Sequence, residues 1–268
     1  MGCGLPRMEI CMKTTILVAC HKPYDTPKQP CYVPIQVGAA LSGQALDGMI
    51  RDDTGDNISG KNRSFCELTA LYWAWKNLDS EAMGLVHYRR YFARSMPALD
   101  KCKRIARPED YERLLARYPV LLPPLRHYWI ETNYSQYVHA HHAQDLAVTR
   151  QIISELYPEY ILAYDRWMAR TCGHHFNMFV MKKPCFDAYC AWLFSILFEL
   201  EKRLDISDYD AYSKRVFGFV SERLIDCWLE TNHIPYADMP VVFMENQHWP
   251  GKICRFLQRK IVGSLHSR

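Results

Sequence analysis

The chain has 268 residues, of which 49% are hydrophobic and 23% are charged, and its formal net charge is +4. These values are typical of a globular protein with one large α/β domain, and so small a charge argues against nucleic acid as a partner. The 11 cysteines lie far apart without a CxxC pair, and no apolar run approaches the roughly 18 residues of a membrane-spanning helix. We therefore expect a cytoplasmic protein that binds no metal through cysteine.

The first predicted strand is Thr14–Cys20, which follows a ragged N-terminus of residues 1–12 without a signal-peptide pattern. Its β-branched and apolar residues are typical of a buried parallel strand, and the strand stops at His21. Four prolines between residues 23 and 34 predict a loop, and a short apolar element follows over residues 35–41. We expect this loop to border a functional site, because ligands bind at strand ends in open α/β sheets.

An acidic turn over residues 51–59 leads into a predicted helix from Asn62 to Asn77, whose apolar residues recur at helical spacing. Asn62 or Ser64 can cap this helix, and Glu67 faces its first turn. The turn lacks the twelve-residue loop and the bidentate glutamate of a common calcium site. It either hydrogen-bonds a ribose or base of a ligand or closes on itself.

Residues 84–92, with the sequence GLVHYRRYF, predict a short strand that ends in cationic and aromatic side chains. A guanidinium group matches phosphate oxygens in a fixed, bidentate geometry that needs no metal. Arg89 and Arg90, together with His87, therefore indicate a site for a nucleotide diphosphate. The alternative is a surface strand whose arginines pair with nearby carboxylates.

Beyond this strand, the pattern predicts a charged helix, a short strand and a second helix, over residues 108–117, 120–122 and 145–156. Aromatic and histidine side chains are concentrated before the second helix and include Tyr137, His141 and His142. His141 and Asp145 are four residues apart, a spacing that puts them on one helix face but specifies a metal only weakly. Contacts to an acceptor sugar are the functional interpretation, and a solvated helix start is the alternative.

The next predicted strand covers residues 174–183 and has His175 and Asn177 near its beginning. A long amphipathic helix follows this strand and is expected to pack as core. Further along, Glu222 lies beside an aromatic segment at a helix start, which makes it a candidate general base. An ion pair with a flanking arginine is an equally good interpretation of its position.

Seven segments, in this order, resemble bacterial capsular-polysaccharide and O-antigen glycosyltransferases long known only as a domain of unknown function. They are ACHK at 19–22, DDTGDNIS at 52–59, FCELTALYWAWKN at 65–77, GLVHYRRYF at 84–92, FNMFVMKK at 176–183, YCAWLFSILFELE at 189–201 and GFVSERL at 218–224. The resemblance covers residues 13–245. It implies a single-domain variant of the glycosyltransferase A fold, a Rossmann-like α/β domain with a mostly parallel central sheet flanked by helices.

The resemblance also implies the transfer of a sugar, with galactofuranose the first choice, from a UDP-sugar donor to a growing capsular or O-antigen polysaccharide. Ordinary members of the fold hold manganese with an aspartate-any-aspartate motif at the end of a central strand. Here residues 87–90 take that place, and arginines there would neutralise the departing diphosphate directly, so the resemblance implies a metal-independent enzyme without a cofactor. The expected donor site comprises His21, Asp53, Asn57, Asn62, Glu67, His87, Tyr88, Arg89, Arg90 and Asn177.

An inverting transfer needs a carboxylate that takes the proton of the acceptor hydroxyl, and Glu222 is the first candidate and Asp145 the second. The acceptor, expected to be a lipid-linked glycan, is assigned the side chains of Tyr137, His141, His142 and His175. A retaining mechanism stays open, as does a catalytically silent module that only binds a nucleotide sugar or glycan. The basic tail, residues 246–268, either rests on the cytoplasmic face of the inner membrane or is a plain solvated helix.

Overall fold

A computed structural model describes residues 12–94 and 100–245 of the chain. Residues 1–11 of the predicted ragged start and the basic tail, with its expected membrane contact, lie outside the described residues. Within the two described ranges, none of the helices has the length and apolarity needed to cross a bilayer.

The described chain contains short strands and helices that alternate over most of its length. The strands are β1 (Thr14–Cys20), β2 (Tyr32–Gln36), β3 (Ile50–Arg51), β4 (Ala82–His87), β5 (Arg90–Phe92), β6 (Val120–Leu122), β7 (Arg126–His127), β8 (Cys172–Gly173), β9 (Phe179–Lys182), β10 (Tyr236–Asp238) and β11 (Val241–Phe243). The α-helices are α1 (Asn62–Phe65), α2 (Leu68–Asn77), α3 (Lys101–Arg104), α4 (Pro108–Leu115), α5 (Asn133–Val138), α6 (Ala143–Leu156), α7 (Ile161–Ala169), α8 (Lys183–Arg203), α9 (Val216–Ser221) and α10 (Ile225–Thr231).

The central sheet has the strand order β10-β6-β9-β4-β1-β2-β3. In addition, β5 pairs with the last residue of β4 and with β11. Along this order every neighbouring pair is parallel except the two pairs that include β9. Because β9 runs in the opposite direction, its first residues lie at the sheet edge where β1, β4 and β6 end. The predicted class is confirmed: a single α/β domain with a mostly parallel central sheet flanked by helices.

Both faces of the sheet are covered, which explains why β1 reads as a continuous apolar run. Side chains alternate between the two faces of a strand. Leu17 and Ala19 pack into a large cluster with α2, α6 and α8, whereas Ile16 and Val18 belong to a second cluster on the opposite face. The amphipathic helix predicted after β9 is α8, and its apolar side chains are buried in the first cluster as expected.

Two predicted elements are interrupted at the functional edge of the sheet. The helix predicted over residues 62–77 is broken at Cys66, whose φ of 53° and ψ of −131° are far from helical values. The side chain of Asn62 does not cap a helix but donates a hydrogen bond of 2.7 Å to the Cys66 carbonyl. The strand predicted over residues 174–183 begins only at Phe179, because Asn177 and its preceding residue have positive φ.

Two other boundaries also differ from the prediction. The strand expected over residues 84–92 is a tight hairpin, in which Tyr88 and Arg89 form the turn and His87 pairs with Arg90. The region rich in prolines contains part of β2, including Pro34. Proline is tolerated there because β3 pairs only with the last two residues of β2, so that side of Pro34 has no strand neighbour in the sheet.

Candidate functional site

The candidate site lies where β1 and β4 end and β9 begins. His21 directly follows β1, His87 is the last residue of β4, and Asn177 lies two residues before β9. The loop that follows β6 starts at the same edge, since β6 runs parallel to β4. The ends of these strands therefore place three residues that are distant in sequence at one edge of the sheet.

Asn177 connects three segments of this edge. Its φ is 48°, a left-handed conformation that asparagine tolerates better than most residues. The side-chain amide donates to Glu67 Oε1 at 2.7 Å and to the Gly218 carbonyl at 3.1 Å. The Ser221 hydroxyl donates to Asn177 Oδ1 at 2.8 Å. Asn177 therefore fixes the Glu67 carboxylate against α9 and is itself held on both sides of its amide.

His87 supports the backbone at Phe176, next to Asn177, and adds no positive charge to the site. Its Nε2 donates a hydrogen bond of 2.6 Å to the Phe176 carbonyl. Burial lowers the pKa of His87 below its usual value, although the charge of Glu67, whose Oε1 lies 3.9 Å from Nε2, acts in the opposite direction. His87 is therefore neutral near pH 7, and the positive charge of the expected diphosphate clamp has to come from arginines.

Arg90 is the arginine that points to a ligand. Its guanidinium lies 4.3 Å from the centre of the Phe176 ring and, within the described part of the chain, forms no hydrogen bond or ion pair. Burial lowers the pKa of Arg90, and the negative charges of Glu222 and Glu67 partly counteract this effect. A partly buried cation without a direct partner is costly unless an anion joins it.

Arg89 is placed differently, because it belongs to the turn of the hairpin. Its Nη1 lies 3.4 Å from Glu245 Oε2, and both side chains are more than 40% exposed. The guanidinium also lies 5.2 Å from the centre of the Tyr88 ring. The His21 ring also makes an edge contact with the Tyr88 ring, with 5.2 Å between the ring centres. Burial, followed by the charges of Lys22 and Arg89, lowers the pKa of His21, so this ring is also neutral.

Glu222 follows the last residue of α9 and faces the arginines across the site. Its side chain is 24% exposed, and its carboxylate makes no hydrogen bond to the residues described. Burial raises the pKa of Glu222 above the usual glutamate value, against the attraction of Arg223 and Arg90. The ion pair that we held open for Glu222 is absent from the described contacts. A partly exposed carboxylate of raised pKa suits a general base.

His175 forms the wall behind Glu222. Arg223 Nη1 donates to His175 Nδ1, and the other ring nitrogen, Nε2, lies 3.0 Å from the Tyr128 hydroxyl. Because arginine only donates, Nδ1 has to accept, which leaves the proton of the neutral ring on Nε2. Burial and the charge of Arg223 hold the pKa of His175 well below its usual range. The 3.9 Å contact between His175 and Glu222 is therefore not an ion pair.

Sequence reasoning missed several members of this cluster. Arg126 acts electrostatically on both Arg90 and Glu222, and its guanidinium lies 5.2 Å from the Tyr128 ring. Arg223 Nη2 donates to Gln136 Oε1 at 2.5 Å. The signal for Arg126 was available, because it follows a predicted strand at the same sheet edge.

Asp145 is not positioned as a base. It is fully buried, and its carboxylate accepts hydrogen bonds from the hydroxyls of Tyr137 at 2.8 Å and Tyr209 at 2.6 Å. Tyr137 is also fully buried, so neither side chain has a surface that a substrate can reach. These two residues, which we had assigned to catalysis and acceptor binding, anchor the start of α6 instead.

The expected acceptor residues are divided between two places. His175 lies beside Glu222, whereas His141 and His142 border a cavity of about 410 Å³ between the α5–α6 turn and residues 208–213. His142 stacks on Tyr209 with 4.0 Å between ring centres, and His141 contacts Phe219 at 4.2 Å. Burial, with the charge of Arg223, lowers the pKa of His141 to about 4. The four residues therefore do not form one acceptor surface.

The acidic turn largely closes on itself, around an aspartate that we had not selected. Asp52 is fully buried and accepts four hydrogen bonds. They come from the Gly38 amide at 2.8 Å, the Ala39 amide at 2.9 Å, the Ser59 hydroxyl at 2.5 Å and the Thr69 hydroxyl at 2.6 Å. One carboxylate thus ties the end of β2 to the turn and to α2.

The three expected donor residues of this region make local contacts. Asp53 pairs with Arg51 at 2.5 Å, which lowers the pKa of Asp53. Asn57 donates to the Gly55 carbonyl, and Asn62 holds the helix break described above. Their polar groups serve the turn itself, and a role in binding the donor stays a prediction.

The metal site of ordinary glycosyltransferase A folds does not fit the residues found here. Within the described residues, no group of three or more His, Cys, Asp or Glu side chains is arranged to hold a metal ion. The two carboxylates at the edge have other surroundings, since Glu67 accepts from Asn177 and Glu222 faces arginines. Guanidinium groups repel a divalent cation, and metal independence stays a prediction.

The strand order, with one reversed strand beside the site, defines a mixed α/β domain whose candidate site lies at the ends of its parallel strands. The structure titled WbbM bifunctional glycosyltransferase matches this chain with a TM-score of 0.79 and 31% identity. The match covers 87% of this chain and 46% of that one, so the present chain spans about half the length of WbbM. None of the curated proteins matches. A family model described as a domain of unknown function, DUF4422, matches residues 15–233, and the chain belongs to this family.

Proposed function

We propose that this protein is a metal-independent, inverting glycosyltransferase that uses a UDP-sugar, with galactofuranose as the first choice of sugar. The acceptor is a growing capsular or O-antigen glycan, carried on a lipid at the cytoplasmic face of the inner membrane. The similarity to WbbM supports glycosyl transfer as the reaction class. Because WbbM is bifunctional and only about half of it is matched, we assign one of its activities to this chain.

The unpartnered guanidinium of Arg90 carries the proposal. A diphosphate that binds beside Arg90 supplies the anion that this partly buried cation lacks. Arg89 lies on the adjacent turn, and it can exchange its exposed pair with Glu245 for a phosphate oxygen. Negative charge grows on the diphosphate as the glycosidic bond breaks, and fixed guanidinium groups stabilise that charge without reorganisation.

Glu222 is the proposed general base. It takes the proton from the acceptor hydroxyl while that oxygen attacks the anomeric carbon and the UDP leaves with the bonding electrons. The raised pKa makes Glu222 a stronger proton acceptor than an exposed glutamate. His175 is held rigidly at 3.9 Å from Glu222 by Arg223 and Tyr128, so it limits the space beside the base.

The test replaces Glu222 by glutamine and measures two quantities separately. UDP binding is followed by the thermal shift of the folded protein, and turnover by UDP release from a panel of UDP-sugars. We expect Glu222→Gln to keep UDP affinity and to lose transfer by at least a hundredfold. Glu201→Gln, which removes only a surface ion pair with Lys61, is the matched control and keeps both.

The result also decides between the proposed enzyme and a silent binding module. A parent protein that binds UDP but turns over no UDP-sugar, whatever acceptor glycan is supplied, supports the binding module. Transfer that survives in Glu222→Gln removes this residue as the base and favours a retaining mechanism. Transfer that stops in chelator and returns with manganese contradicts the arginine clamp.

A further inference from the structure

An exposed tryptophan two residues after β7 has an unusual backbone conformation. Trp129 has a φ of 65°, and 85% of its surface is exposed. The Ile130 amide donates a hydrogen bond of 2.7 Å to the Tyr128 carbonyl, so Trp129 is the central residue of a three-residue turn. Positive φ is unfavourable for a residue with a Cβ atom. Such strain persists where the surrounding structure enforces it, and it is frequent at functional sites.

The flanks of this turn are anchored firmly, and one anchor reaches the candidate site. The Tyr128 amide donates to the Thr171 carbonyl at 2.8 Å, and the Tyr128 hydroxyl contacts His175 behind Glu222. On the other flank, Glu131 is buried, with only 6% of its surface exposed, and its Oε1 lies 2.7 Å from His139 Nδ1. The turn is therefore held in a fixed place while its indole ring stays in solvent.

The position along the sheet edge indicates which ligand the ring faces. From β1 through β4 and β9 to β6, the edge presents His21, then His87, then Asn177, and finally the segment after β6 that contains β7 and Trp129. The arginine hairpin follows β4, so the donor occupies the β1–β4 side. Trp129 lies beyond β6, two residues after β7, and β7 pairs with β8, which directly precedes His174 and His175; this segment is the β6 side of the edge. That side is left for the molecule that attacks the donor.

We propose that Trp129 is a stacking platform for a sugar ring of the acceptor glycan. A sugar ring has an apolar C–H face that covers an indole ring, while its hydroxyls stay in water or reach polar side chains. This inference rests on the proposed function and adds the acceptor contact to it. Arg126, two residues before Tyr128, lies close enough to the Tyr128 ring to line the same approach.

The first experiment compares Trp129→Ala with Tyr134→Ala, which removes another exposed aromatic ring from α5. The probe is a mixture of neutral oligosaccharides released from bacterial capsule by mild acid, titrated into an assay of UDP release. We expect Trp129→Ala to raise the half-saturating oligosaccharide concentration about tenfold and to leave UDP affinity within about twofold. Tyr134→Ala changes neither value. Equal behaviour of the two variants overturns the inference, as does a loss of UDP affinity in Trp129→Ala.

A second readout does not depend on turnover. The difference in fluorescence between the parent and Trp129→Phe reports on this one indole, and we expect the oligosaccharides to protect it from acrylamide quenching. Protection by anionic lipid vesicles or by self-association, without protection by oligosaccharide, overturns the inference. If UDP release is absent but oligosaccharides protect the indole, the proposed reaction fails while the saccharide contact stands.

A third variant tests whether the strain is kept for binding. Glycine accepts positive φ without the Cβ conflict. We therefore expect Trp129→Gly to unfold at the same temperature as the parent or a higher one, and to show the same loss of oligosaccharide saturation as Trp129→Ala. A clear fall in unfolding temperature in Trp129→Gly means that the indole packs to stabilise the fold, which contradicts a platform role.

Discussion

Replacing Asp52 by alanine is expected to destabilise the protein strongly, although the sequence alone suggests only an acidic turn at this position. Its fully buried carboxylate accepts four hydrogen bonds, two from backbone amides and two from hydroxyls. The variant leaves the Gly38 and Ala39 amides without their acceptor. Of the hydroxyls, only that of Thr69 has a second acceptor among the described contacts, the Cys66 carbonyl at 3.1 Å.

The expected loss follows from these contacts. A buried donor that loses its acceptor costs about 1–3 kcal/mol, and bonds to a charged acceptor are at the upper end of that range. Two amides and one hydroxyl lose their acceptor, while the variant no longer has to bury a carboxylate, which offsets part of this cost. The expected net loss in unfolding free energy is about 4 kcal/mol. That is a large part of the roughly 5–15 kcal/mol that stabilise a typical domain.

Asp53→Ala is the matched control, because it removes a carboxylate from the adjacent residue. Asp53 forms a partly exposed ion pair with Arg51, so we expect a loss of about 1 kcal/mol or less in unfolding free energy. Urea unfolding followed by circular dichroism measures both variants. If Asp52→Ala is as stable as Asp53→Ala to within about 1 kcal/mol, the reasoning about the buried carboxylate is refuted. A fall in UDP affinity in Asp53→Ala alone supports its predicted role in donor binding.

Three further predictions concern the charges of the site and of the core. Arg90→Lys is expected to weaken UDP binding about tenfold in a thermal-shift titration, because lysine cannot form the bidentate contact of a guanidinium group. Arg89→Lys is expected to weaken binding less, because Arg89 is more exposed than Arg90. Since the pKa of Glu222 is raised, kcat/KM should fall on acidification at a pH clearly above the usual glutamate value, and a limb at or below that value contradicts the assignment. Burial lowers the pKa of His174, but its pairing with Asp226 outweighs this and raises the pKa overall. The stabilisation is therefore complete below the unfolded pKa near 6.5 and is lost as pH rises through the folded pKa, so urea unfolding should show stability that declines as the pH is raised above about 6.5; stability that stays constant on this rise refutes it.

The sequence predicted the sheet edge well because strand ends are encoded locally. Apolar β-branched runs stop at His21 and near His87, and a parallel arrangement then brings these ends together. It could not predict which of two neighbouring aspartates faces inward, because that depends on how residues 50 and 51 pair with β2. Asp52 therefore escaped notice, and Asp53 was selected.

The contacts of Arg223, which hold His175 beside Glu222, could not be predicted from the sequence either. Arg223 contacts His175, 48 residues away, and Gln136, 87 residues away. Spacing along the chain gave Arg223 only as a neighbour of Glu222, for which an ion pair is the natural expectation. In the folded chain its guanidinium is already bound by neutral acceptors, which leaves the Glu222 carboxylate without a direct partner among the described residues.

The protonation states of the histidines decide how the site can carry its charge. His21, His87 and His175 all have lowered pKa values, in each case chiefly through burial, and each lies beside at least one arginine. Neutral rings at these positions act as hydrogen-bonding supports, as His87 does for the Phe176 carbonyl. The positive charge offered to a diphosphate then belongs to guanidinium groups, which stay protonated across the physiological range. Donor binding can therefore stay constant with pH while Glu222 alone sets the acidic limit of turnover.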